Sequence, residues 1–270
     1  MTFADRYGPW ALIAGASDGL GAAFAETLAR RGVNLVLLSR REAVLADLAA
    51  GIERRHGVRT RVLALDLVAD TAAHEVIEAT RDLEIGMLVY CAGADPEFKP
   101  FLSQPITAAE SMVRRNCLVP MQLSHHYAQG MVTRGRGAVV ILGSGAGFAG
   151  GPNMVAYGAT KAFDMVFAEA LWTELHDKGV DVLGVILGKT DTPALRRLEL
   201  SRGQIASMDE RPKDTASADD AVAEAFDNLA NGPTWIVGDD LRAAAQMMGS
   251  ISRSDAVRFI QQASAASMGD

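Results

Sequence analysis

Cysteine is scarce in this chain, with Cys91 and Cys117 the only two among 270 residues. Neither belongs to a Cys-x-x-Cys pair or lies at ligand spacing from a histidine, which argues against a disulfide framework and gives no metal site. Long apolar runs are missing too. None approaches the ~18 residues that would suggest a transmembrane helix, and the opening Met1-Thr-Phe-Ala-Asp-Arg-Tyr-Gly-Pro-Trp10 has no basic segment followed by an apolar one. A cytoplasmic chain without membrane association is therefore expected. Positive charge is in deficit: 26 Lys and Arg face 33 Asp and Glu, for a net charge of -7. The basic residues are scattered and leave no footprint for nucleic acid or an anionic membrane. Internal repeats and Pro/Ser-rich linkers are also absent. At 49% hydrophobic and 22% charged, the chain reads as one globular domain able to bury a large core.

Short β-rich runs alternate with longer stretches of helical period. Trp10–Ala14, Val33–Ser39, Thr60–Leu65, Met87–Tyr90, Ala138–Leu142, Val180–Leu187 and Thr234–Val237 read as strands. These runs are nearly all-apolar rather than alternating, so they belong in a sheet covered on both faces. Seven strands separated by helices imply an α/β fold, a doubly wound parallel sheet in three αβα layers. That domain is expected to occupy residues 1–240, with a helical extension over 241–270 that covers either the substrate opening or a partner subunit. The less regular segment 188–219 follows the sixth strand, on the edge where open α/β sheets bind ligands, and is a candidate substrate lid.

Gly15-Ala-Ser17-Asp18-Gly19-Leu20-Gly21 joins the first strand to the first long helix. Glycines at this spacing let the backbone turn tightly and approach a pyrophosphate whose charge then rests on the helix N-terminus. At the end of the second strand, where an acidic residue would grip the ribose 2'-hydroxyl of NAD, the chain has Ser39-Arg40-Arg41. An arginine fork suits a 2'-phosphate, with Ser17 and Ser39 as hydroxyl donors, so NADP(H) is favoured over NAD(H). Asp66, followed by Leu67, is placed either to accept from the adenine amino group or to cap the next helix. Gly15-Ala-Ser17-Asp-Gly19 also fits the G-x-S-x-G pattern of a hydrolase elbow, but only fourteen residues precede it, too few for the upstream strands and oxyanion loop that an elbow requires. Gly188-Lys189-Thr190 imitates the end of a P-loop, yet Leu183 stands where the first glycine should be.

Tyr157 and Lys161 are four residues apart in an amphipathic stretch, so on a helix both side chains leave the same face. A free phenol titrates near ~10, and an ammonium about 4 Å away at an effective dielectric of ~20 favours the phenolate by roughly 4 kcal/mol. Such a pair can exchange protons near neutral pH. Phe148, Met154, Leu195, Leu198 and Leu200 suggest an apolar substrate pocket. His125 and His126 lack an acid or cysteine at ligand spacing and read as structural, and Met247 and Met248 read as core or interface filler.

With the glycine loop, Asn116, Ser144, Tyr157 and Lys161 in this order and spacing, the first 240 or so residues resemble the short-chain dehydrogenase/reductase family. The resemblance implies a Rossmann fold and an NADP(H)-dependent oxidoreductase that interconverts a ketone or aldehyde with an alcohol. Ser144 would polarise the substrate oxygen, Tyr157 would act as general acid/base, and Lys161 would hold the nicotinamide ribose and assist the tyrosine. Asn116 would hold a water in the proton relay. Cys91-Ala92-Gly93 matches the segment under the adenine, with Tyr90 and Cys91 replacing both family asparagines. Gly188, Thr190 and Thr192 match the segment beside the nicotinamide, with Leu187 in place of the family proline. A homodimer or homotetramer is implied as well. The alternative to an enzyme is a dinucleotide-binding sensor or scaffold, which would have no need of Ser144 or Tyr157.

Overall fold

The computed structural model describes residues 1–93 and 97–268, with side chains described as far as residue 262. Residues 269 and 270 of the expected extension lie outside the described residues. Seven strands, β1 (Trp10–Ala14), β2 (Asn34–Ser39), β3 (Thr60–Ala64), β4 (Ile85–Tyr90), β5 (Gly137–Ser144), β6 (Val180–Leu187) and β7 (Thr234–Ile236), form a parallel sheet in the order β3-β2-β1-β4-β5-β6-β7. The seven expected strands are all present, with ends displaced by one or two residues.

Strand residues alternate between two hydrophobic cores, the physical meaning of an all-apolar strand. Ala11 and Ile13 face one core with Phe24, Leu28, Leu45, Ile52 and Phe226, contributed by helices Gly19–Arg30, Glu42–His56 and Ala218–Asp227. Leu12 and Ala14 face the other, with Val76, Leu123, Tyr127, Met131 and Leu175 from helices Ala72–Ala79, Val119–Arg134 and Val155–Leu175. Each fully buried Leu or Phe contributes about 1.5–3 kcal/mol of transfer free energy, so the paired cores clamp the sheet from both sides.

Strand order reverses between β1 and β4, and connections leave in opposite directions there, opening a crevice beyond the carboxyl ends of the strands. The segment 188–219 contributes Gly188, Thr190, Thr192, Leu195 and Leu198 to the cavity walls there. It holds a two-residue strand pair, Thr190–Asp191 with Ala216–Ser217, and the helix Pro193–Ser201. Thr192 starts that helix by accepting from the Leu195 N–H at 3.2 Å, with Pro193 at its first position. The tail forms two helices, Asp239–Gly249 and Arg253–Met268. Among the described residues, no helix is long and apolar enough to cross a membrane.

Candidate active site

The glycine loop forms the floor of the crevice. Gly15 adopts φ +87°, and a Cβ at Gly21 would stand 2.1 Å from the Gly15 carbonyl oxygen, so the turn and the helix behind it close only without side chains. Asp18 caps the helix through the Gly19 N–H at 2.9 Å. Gly15, Asp18, Gly19, Leu20, Gly21, Cys91, Ala92 and Gly93 line a cleft of about 340 Å³ with Tyr157, Lys161, Gly188, Thr190 and Thr192. The residues expected at the pyrophosphate, the adenine side and the nicotinamide are thus brought together. A narrow cradle that a Cβ would fill, ending on a helix N-terminus, fits a dinucleotide.

At the end of β2 the two arginines take different positions. Arg41, rather than Arg40, lies across the loop: its Nη2 donates to Ser17 Oγ at 2.9 Å and to the Ser17 carbonyl at 3.0 Å, and pairs with Asp18 at 3.2 Å. Arg40 is exposed and borders a second, larger cavity. Ser39 Oγ accepts from the Arg41 N–H at 3.2 Å, which fixes the turn carrying both arginines. Asp66 is exposed and accepts from the Val68 N–H at 3.1 Å, two residues on. It therefore shapes a local turn and does not cap the helix Ala72–Ala79, whose cap residue is Thr71. Leu67 is buried in the core behind it.

Asn116 occupies a π-helical turn, Arg114–Leu118, between helices Ile106–Val113 and Val119–Arg134. The Val119 N–H donates to the Arg114 carbonyl, five residues back. Pro120 explains the irregularity, since it lacks the N–H that the Asn116 carbonyl would otherwise receive four residues on. The turn pushes Asn116 inward until it is 1% exposed. Its Nδ2 donates to Thr160 Oγ1 at 2.9 Å and to the Gly93 carbonyl at 3.3 Å. Tyr90, standing where the family has asparagine, is fully buried and its hydroxyl donates to the Arg115 carbonyl. The tyrosine thereby ties β4 to the π turn.

Ser144 ends β5, where its Oγ accepts from the Ala146 N–H at 3.2 Å, leaving its own proton to donate. Tyr157 lies in the first turn of helix Val155–Leu175 with Lys161 one turn on. The ammonium of Lys161 is 6.0 Å from the centre of the Tyr157 ring. It is 5% exposed and donates to the Leu142 carbonyl at 2.7 Å and to Asp164 Oδ2 at 2.9 Å. Asp164 did not stand out in the sequence, although its spacing of three from Lys161 on the same helix face was a readable signal. A Cβ at Gly93 would meet Asn116 Oδ1 at 2.9 Å and Lys161 Nζ at 3.2 Å, so this glycine keeps open the point where the two groups converge.

Ser144 and Tyr157 also border a second cavity of about 880 Å³, with Phe98, Phe148, Met154, Leu195, Leu198, Leu241, Met248 and Ile260 in its walls. The Phe98 ring stands edge-on to Tyr157, with centres 5.5 Å apart. Leu200, expected in the pocket, is instead exposed and points elsewhere, because Leu195 and Leu198 take the inward face of their helix. Met248, read as filler, lines the cavity along with Leu241 and Ile260 of the tail. The helical period of the tail is legible in the sequence, but only the packing reveals which of its side chains turn inward. His125 and His126 are exposed on helix Val119–Arg134, and no group of three or more His, Cys, Asp or Glu able to hold a metal ion occurs among the described residues.

A dinucleotide cradle sharing a wall with an apolar cavity suits a nucleotide-dependent oxidoreductase. Comparison with known proteins agrees. The short chain dehydrogenase family model matches residues 9–202, and the chain belongs to that family. It is 32% identical over 262 residues to the 7beta-hydroxysteroid dehydrogenase of Clostridium sardiniense, a match covering 95% of this chain and 96% of that relative. A solved 7beta-hydroxysteroid dehydrogenase structure superposes with a TM-score of 0.87 at 32% identity, covering 96% of this chain and 99% of the other. A short-chain dehydrogenase from Sphingobium yanoikuyae, solved with NADPH, matches with a TM-score of 0.75 at 31% identity, over 90% of this chain and 96% of that one. The chain is accordingly an NAD(P)-dependent oxidoreductase acting on CH–OH groups of a small molecule, and not the non-catalytic sensor of the alternative reading.

Proposed function

We propose that the protein uses NADP(H) to interconvert a bulky, apolar ketone and its secondary alcohol, with Tyr157 as the general acid/base. The observation that carries this reading is the position of Ser144 and Tyr157 on the wall common to the two cavities, the 340 Å³ cleft and the 880 Å³ chamber. A chamber of that volume with largely apolar walls suits a fused-ring or steroid-like substrate, in keeping with the names of the relatives at 32% identity.

When bound, the cofactor supplies the hydride. The chain supplies everything else. The Ser144 hydroxyl donates to the substrate oxygen and fixes it beside the phenol, and Tyr157 gives that oxygen a proton as charge gathers on it during reduction. Lys161, with two N–H groups committed to Leu142 and Asp164, keeps a third for the cleft. Asn116 Oδ1 and Lys161 Nζ converge above Gly93, which supports a proton return path through that point. Ser17 and the Arg40–Arg41 corner hold a 2'-phosphate, the segment 188–219 closes over the substrate, and the extension 241–270 walls the chamber. Assembly as a homodimer or homotetramer and a cytoplasmic location complete the reading.

The test is Tyr157→Phe. Turnover of a bulky ketone should fall by about 10²–10⁴, the usual contribution of a positioned acid, while the NADPH dissociation constant stays within about twofold. Near-wild-type turnover would remove Tyr157 from the chemistry. A panel in which small aldehydes outperform fused-ring ketones would remove the substrate class.

A further inference from the structure

We propose that Asp164 is a positioning residue of the catalytic helix, a counter-charge that holds the Lys161 ammonium in place and cancels part of its field at Tyr157. The inference rests on the reading of Tyr157 as the acid/base and extends it to a residue that touches neither cavity.

The geometry is specific. Asp164 Oδ2 receives the Lys161 ammonium at 2.9 Å, with side chains 3% and 6% exposed, and the two residues lie three apart on the inward face of one helix. The Leu142 carbonyl receives a second Lys161 N–H at 2.7 Å from the end of β5. The amine is therefore anchored at two points, which leaves one N–H for the cleft that Lys161 lines. The other oxygen, Asp164 Oδ1, is buried without a hydrogen-bond partner among the described residues. A carboxylate kept for stability alone would have both oxygens satisfied, since a desolvated, unpaired oxygen opposes folding. What the carboxylate does supply is a buried negative charge 2.9 Å from the Lys161 ammonium.

The surroundings leave that task to few groups. Tyr157 shares the helix, Tyr90 and Cys91 come from the end of β4, and Arg115 and Cys117 come from the π turn. Burial pushes Tyr90 and Cys91 well up and Cys117 up to about 11, so all three stay neutral at working pH. Burial also lifts the Asp164 carboxyl, to about 6, against the pull of Lys161. Above that pH, Lys161 acts on Tyr157 as half of an ion pair, and below it as a lone cation.

Asp164→Asn tests the idea, because an amide oxygen can still accept from Lys161 while the charge is gone. Losing a negative charge that stands 2.9 Å from an ammonium itself 6.0 Å from the Tyr157 ring centre favours the phenolate, so the acid limb of the pH profile for alcohol oxidation should move about one unit lower. Asp164→Glu, which restores the charge, should return the limb toward wild type, an outcome that loss of packing alone would not produce. An unmoved limb in folded Asp164→Asn overturns the proposal. If Tyr157→Phe is meanwhile inactive, the reading of the tyrosine survives that failure. A second readout needs neither turnover nor a variant. Infrared spectra of the wild-type protein labelled with ¹³C-aspartate should show one protonated carboxyl at pH 5 that is ionised at pH 8; a carboxyl still protonated at pH 8 equally overturns it.

Discussion

Replacing Arg41 with alanine tests whether this guanidinium holds the proposed 2'-phosphate, and the structure sets the size of the expected effect. Arg41 now rests on Ser17, at 2.9 Å from its hydroxyl and 3.0 Å from its carbonyl, and 3.2 Å from Asp18. Its side chain is 44% exposed. An ion pair that open to solvent is worth at most about 1 kcal/mol, so Arg41 turns to a phosphate with little loss. A charge-assisted hydrogen bond is worth about 1.5–3 kcal/mol. Arg41→Ala should therefore raise the NADPH dissociation constant by about ten- to a hundredfold. NADH, which lacks the phosphate, should change by less than about threefold. Titrations followed by nicotinamide fluorescence at two salt concentrations supply the check. NADPH affinity should also become less sensitive to salt, since one cation has been removed. Equal losses for the two cofactors would refute the assignment, and a larger NADPH loss from Arg40→Ala would move the role to the neighbour.

Three further outcomes can be measured. Gly21→Ala drives a methyl to 2.1 Å from the Gly15 carbonyl oxygen, which is backbone and cannot rotate away. Stability should drop by at least about 1–3 kcal/mol in urea unfolding, with NADPH binding weakened more than tenfold, and an unchanged midpoint would contradict the close approach. Met248→Trp narrows the 880 Å³ chamber from the tail side. It should raise KM for fused-ring ketones and spare small ones, whereas a uniform effect would mean that the tail does not wall the substrate. Asp164 carries the pH prediction. Its carboxyl is raised in the folded state from 3.8 to about 6, so the stability it contributes is present below pH ~4 and lost as pH rises through ~6, by roughly 2–3 kcal/mol. Wild-type unfolding midpoints should fall relative to those of Asp164→Asn over that window. Parallel curves would show that the carboxyl is not perturbed.

The sequence by itself determined the architecture and much of the lining of the cleft. All-apolar strands spaced by helices call for a parallel sheet covered on both faces, and the seven strands appear where the patterning puts them because both strand faces are buried. The glycine loop was legible because its chemistry is backbone chemistry, and Tyr157 and Lys161 were legible because one helical turn joins them. The π turn could have been read from Pro120, four residues after Asn116, since a missing N–H is a local fact. Other features depend on elements remote in sequence and were decided only by tertiary packing. Whether Arg40 or Arg41 folds over Ser17 depends on how β2 ends beside the loop 24 residues earlier. Leu241, Met248 and Ile260 join Ser144 in one wall because the tail crosses the crevice, and Leu200 turns away because its helix presents Leu195 and Leu198 instead. Spacing also hinted at the Lys161–Asp164 pair, but only burial turns that pair from surface decoration into an electrostatic device: in water its charges would be screened to little effect, whereas beneath β5 they are not.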